Sequence, residues 1–121
     1  MEQKVLQMNS WFAEQIELCR QREQALLADD RADEAVFEKV RANVYDIFRT
    51  ILDVAVKTGG GAEAVQRFFE CRAQTIPASW AAAHEKAAQH QDPVRMQLEN
   101  IKLDTVEEIK AQFARIWKEA T

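Results

Sequence analysis

The alternation of apolar and polar positions has its clearest helical period in residues 36–56. At about 100° per residue, Val36, Val40, Val44, Ile47, Ile51 and Val54 fall on one side of a helix, and Phe37, Phe48, Leu52 and Ala55 fall beside them. Together they fill an arc of roughly 160°, against roughly 100° for an ordinary surface helix. One neighbour cannot cover such an arc, so this segment reads as a central rod packed on by at least two other helices. The acidic stretch 29–34 marks its start, since Asp is a good N-cap and carboxylates suit the positive end of a helix. Gly59, Gly60 and Gly61 mark its end. Three consecutive glycines exceed what a cap needs, and they predict a hinge.

The rest of the chain continues the pattern. A first helix is expected over about 2–27. Val5, Met8, Phe12, Ile16, Cys19 and Leu26 form its main face, and Trp11, Leu18 and Ala25 form a second stripe. Glu23 interrupts the main face near its end. The rod follows over 33–57. A third helix, about 62–75, carries Val65, Phe68 and Phe69. Pro77 and Ser79 then read as the opening of a short fourth helix over 78–90, with Trp80 as its anchor among alanines. Asp92 and Pro93 are an N-cap followed by a first-turn proline, which starts a last helix over 93–120. Val94, Leu98, Ile101, Thr105, Ile109 and Ile116 hold one stripe along it, which favours a continuous helix. Asp104 and Glu107 resemble a capping box and mark the place of a competing kink. No run alternates with period two, so no strand is expected. With 121 residues, the chain reads as one all-α domain, a bundle of four to five helices. The short connections predict largely antiparallel neighbours.

Composition changes this picture little and removes several function classes. Charged residues at 30% and hydrophobic residues at 47% are a globular balance. A net charge of −4 works against binding nucleic acid or anionic lipid. The apolar runs are too short to span a membrane and the N-terminus has no signal-peptide layout, so a cytoplasmic location is expected. Cys19 and Cys71 have no metal or redox spacing and read as buried free thiols.

The sequence carries few arrangements that could do chemistry. His84 and His90 lie about 120° apart around a helix and have no ligand type three or four residues away. The acidic stretch 29–34 lacks the glycine and the closing glutamate of a calcium loop. The glycines lack the Lys-Ser/Thr that follows them in a phosphate-binding loop. No catalytic, metal or cofactor residue is assigned, and the chain is expected not to be an enzyme. Residues 64–88 have the outline of a helix-turn-helix, but the second helix offers one basic residue, Lys86, offset by Glu85.

These residues predict a non-catalytic protein acting through protein contacts, with itself or another protein, and a homo-oligomer. Trp11, Leu18, Tyr45 and Trp117 lie on helix flanks and are the interface candidates. The alternative is a site for an apolar or aromatic small molecule between helices, lined by Phe48, Phe68, Phe69, Trp80 and His84, with the glycine hinge to open it. A DNA-associated regulator is the third reading.

Overall fold

The computed structural model describes residues 1–119, and four long helices account for them. They are α1 (Glu2–Ala28), α2 (Ala32–Thr58), α3 (Gly61–Gln89) and α4 (Pro93–Glu119). No strand occurs among the described residues. The continuous reading of the last helix holds through Asp104; Ala120, its expected final residue, lies outside the described residues.

The helix ends follow from backbone chemistry. At the close of α1, Asp30 is left-handed (φ 58°), and the Arg31 N–H reaches back to the Leu26 carbonyl at 2.8 Å. At the close of α3, Gln91 is left-handed (φ 54°), and the Asp92 N–H reaches the Ala87 carbonyl at 2.9 Å. Both are Schellman stops with a non-glycine residue where glycine is usual. The α4 start is as expected: Asp92 Oδ1 accepts from the Arg95 N–H at 3.1 Å. Between α2 and α3 all three glycines have positive φ, from 84° to 99°. A Cβ on Gly60 would stand 2.8 Å from that of Ala64. The triple glycine is therefore required by the shape of the link itself, whether or not the link bends.

α3 corrects the expectation of two helices over 62–75 and 78–90. It runs through Pro77 without a break. Proline lacks the N–H that would bond the Ala73 carbonyl, and it disfavours helix in the residue before it, at a cost of about 3 kcal/mol. Packing on both sides of the proline outweighs that local preference. Phe69 and Ala73 are buried before it, and Ile76 and Trp80 pack against the core around it. The Lys102 ammonium of α4 lies over the Trp80 ring at 5.6 Å. With no turn near residue 77, the two-helix outline behind the DNA reading disappears.

α2 is the hub. It packs against α1, α3 and α4, whereas α1 and α3 do not touch. Its covered side is centred on Val44, Tyr45, Phe48, Leu52 and Ala55. The apolar arc expected from the sequence, from Val36 and Val54 round to Leu52, is centred near Val44, so the buried face is rotated from the expected one by roughly 50°. Aromatic rings tie the helices together. Trp11 of α1 meets Tyr45 edge-on at 5.5 Å, and Phe48 meets Phe69 of α3 at 5.8 Å. Phe69 stacks on Phe113 of α4 at 4.1 Å, and Phe113 stacks on Trp117 at 4.2 Å. Each such ring contributes about 1.5–3 kcal/mol by burial, with a further increment for ring geometry.

Replacing Pro77 by Ala restores the missing hydrogen bond. It is expected to raise stability by about 1–3 kcal/mol, the lost ring contacts offsetting part of the gain. Chemical denaturation of P77A measures this; an unchanged or lower midpoint would show that α3 does not carry a helical strain at Pro77.

Candidate functional site

Two places on the molecule stand out once the core is drawn. The first is the outer face of α2. Val36, Ile47 and Val54 are 45%, 40% and 44% exposed, while Phe48, next to Ile47, is fully buried. Val40 and Ile51 are half-buried on the same side. Val40, Ile47 and Val54 recur every seven residues, so they lie in one line along the helix. One edge of the line is polar. Lys39 lies 3.8 Å from Glu23, Asp46 pairs with Arg49 at 2.5 Å, and Asp53 pairs with Lys57 at 2.9 Å. The other edge, with Val44 and Ile51, merges into the core. The wide arc seen in the sequence is real, and three neighbouring helices cover only part of it.

The second is a set of polar groups under α1 and α2. The Tyr45 hydroxyl donates to Glu108 Oε2 of α4 at 2.7 Å. Burial first, and this carboxylate second, hold the phenol well above its usual pKa. Burial, reinforced by the neighbouring Glu38, pushes the Cys19 thiol up to about 11. Glu38 accepts from Arg41 Nη1 at 2.8 Å through Oε1, while its buried Oε2 has no partner among the described residues. A thiol held protonated is not a nucleophile. These groups therefore work as a structural polar network. Among the described residues, no group of three or more His, Cys, Asp or Glu side chains could hold a metal ion.

The interface candidates separate. Trp11 and Leu18 remain partly exposed, but Tyr45 and Trp117 are buried and cannot serve a surface contact. Both were placed on flanks, and both flanks are covered because α2 and α4 each have three neighbours. The Trp117 carbonyl also accepts from Lys4 Nζ at 2.7 Å. Trp11 lines a shallow groove of about 540 Å³ between α1 and α4, with Leu6 and Ile116.

Of the pocket candidates, Phe48 and Phe69 are brought together, in ring contact at 5.8 Å. Phe48 and Phe69 are fully buried in the core. Phe68 is half-buried under the Arg72 guanidinium at 5.2 Å, and Trp80 and His84 lie partly exposed farther along α3. The groove beside Phe69 opens instead between α3 and α4. It measures about 410 Å³ and is lined by Phe69, Ala73, Phe113, Glu70, Glu107 and Lys110. Cys71 corrects a further expectation, being exposed where it was read as buried. It follows Glu70 on the solvent side of α3, opposite Phe69 and Ala73. No helix of the described residues is long and apolar enough to cross a membrane.

The fold and these features define the class of protein: an all-α bundle of four helices with an exposed aliphatic line on its central helix. Compared with known families, curated proteins and solved structures, the chain matches none of them.

Thiol titration tests the polar network. In the folded protein one cysteine, Cys71, is expected to react at mildly alkaline pH, and Cys19 only after unfolding. The raised Cys19 pKa also sets an alkaline limit. Because the folded value is above the ordinary 9.0, its contribution to stability is complete below pH 9 and is lost as pH rises towards 11. Tyr45 acts with the same sign above its ordinary 10.0. The denaturation midpoint should hold from pH 7 to 9 and fall beyond it; equal reactivity of both thiols in the folded state would contradict this placement.

Proposed function

We propose that this is a non-catalytic protein that acts through protein contacts, and that it self-associates through the outer face of α2. The supporting observation is the exposed line Val36, Ile47 and Val54, flanked by the half-buried Val40 and Ile51. Isolated exposed aliphatic residues need no explanation, but Val40, Ile47 and Val54 recur at the seven-residue spacing of a helix seam. This face replaces Tyr45 and Trp117 as the interface. Trp11 and Leu18 keep a secondary place on α1.

Two coarser features belong to the same reading. We read the bundle neighbours as largely antiparallel; in support, Glu23 meets Lys39 and Trp11 meets Tyr45, so that position falls along α1 as it rises along α2. Phe69 meets Phe113 and Trp80 meets Lys102 in the same opposed order. The location we propose is cytoplasmic, in keeping with the free thiols.

A small-molecule site is the second reading, favoured by the groove of about 410 Å³ at Phe69 and Phe113. It is the weaker one because the groove is open and three of its side chains are charged.

Sedimentation velocity across a range of concentrations tests the leading reading. The wild-type chain is expected to associate. Ile47→Lys removes a buried aliphatic side chain from each copy and puts charges in its place, so it should weaken association by about 100-fold or more. A wild-type chain that stays monomeric at all concentrations would remove the proposal.

A further inference from the structure

The edges of the α2 line carry a second step, which rests on the self-association reading above. We propose that the occupant of this face is α2 of a second copy, packed antiparallel about a two-fold axis that passes beside Ile47.

The line is asymmetric. One edge carries Lys39, Asp46 and Asp53, and the other carries Val44 and Ile51. When two identical helices pair in parallel, the polar edge of each faces the apolar edge of the other. That would set Asp46 and Asp53 against Val44 and Ile51 and desolvate charge without a partner. When they pair antiparallel about a two-fold axis, polar edge meets polar edge and apolar meets apolar. Only the second arrangement satisfies both edges, and a self-complementary patch is what a two-fold dimer requires.

The register follows from the residues. With the axis beside Ile47, each position faces the one equally far on the other side. Val40 faces Val54 of the second copy, and Val54 faces its Val40. Within one residue of exact register, Asn43 comes beside Thr50 of the second copy on the polar edge, and Val44 comes beside its Ile51 on the apolar edge. Lys39 comes within about two residues, some 3 Å along the axis, of Asp53 of the second copy. That places one cation beside one anion at each end of the seam. Asp46 comes near its own symmetry copy, where Arg49, already 2.5 Å away, offsets the repulsion. From Val36 to Val54 the line spans about 27 Å, long enough for a coiled-coil-like contact. The β-branched residues at Val40, Ile47 and Val54 suit such a seam, having little rotamer freedom to lose.

Oxidative cross-linking tests the register. Cys71→Ser removes the exposed native thiol, and Cys19 is buried. In that background Ile47→Cys is expected to link to itself under mild oxidation. Val40→Cys and Val54→Cys should not link alone, but should link to each other when mixed. Self-linking of Val40→Cys or Val54→Cys as fast as Ile47→Cys would overturn the antiparallel register. Sedimentation of the wild-type chain separates the two levels of the claim. A dimer whose Ile47→Cys variant does not link refutes this geometry and leaves self-association standing, whereas a monomer refutes both. A charge exchange gives an independent reading: Asp53→Lys should weaken the dimer, and adding Lys39→Asp should recover most of the loss. Failure of that recovery would count against the register.

Discussion

The fold depends on the mismatch between one helix and its surroundings. α2 carries apolar residues around nearly half its circumference, and a bundle of four helices can give it only three neighbours. Those neighbours settle on the side with the largest groups, Tyr45, Phe48 and Leu52, because burying aromatic rings gains the most. Smaller β-branched residues are left at the margin. The ring contacts from Trp11 to Tyr45 and from Phe48 through Phe69 to Phe113 fix this choice, since each joins α2 or its neighbours across a helix boundary. α1 and α3, which share no contact, are held in one structure by α2 and α4.

Polar groups inside the bundle work against this packing and narrow its options. Glu99 of α4 is 1% exposed, on the same helix face as Val106 and Phe113 at seven-residue spacing. Arg95 and Lys102 both donate to its Oε1 at 3.2 Å, and Oε2 has no partner among the described residues. Glu38 is similar, with one oxygen on Arg41 and the other buried alone. A half-satisfied carboxylate costs stability, but it disfavours alternative packings that would bury it without its cation. The Tyr45–Glu108 hydrogen bond has the same effect between α2 and α4, setting their relative level.

Much of the architecture was legible in the sequence, and the misses have physical causes. The four helix-forming runs and the stops at 29–31, 59–60 and 90–92 show in periodicity and capping chemistry. Pro77 misled because local preference was weighed without the tertiary contacts of Phe69, Ala73 and Trp80, which hold the helix through it. The direction of α2 misled because periodicity gives the width of an apolar arc but not which part is covered. Residue size would have helped: the bulky members of the arc, Phe48 and Leu52, lie together, and Tyr45 continues their side. Tyr45 and Trp117 read as surface residues because both lie on the flanks of their apolar stripes. Tyr45 instead found Glu108, while the Trp117 indole N–H is buried without a partner among the described residues. Of the candidate site, the sequence held the exposed line in full, at Val36, Ile47 and Val54, but presented it as core.

The claim on which this account turns is therefore the orientation of α2, and two adjacent residues test it. Phe48→Ala and Ile47→Ala are compared by chemical denaturation at low protein concentration, where self-association does not contribute. Phe48→Ala should cost about 3–5 kcal/mol, the range for a fully buried phenylalanine. Ile47→Ala should change stability by less than about 1 kcal/mol, since the side chain is partly exposed and alanine is the better helix former. Equal costs at the two positions, or a larger cost at Ile47, would mean that the other side of the arc faces the core.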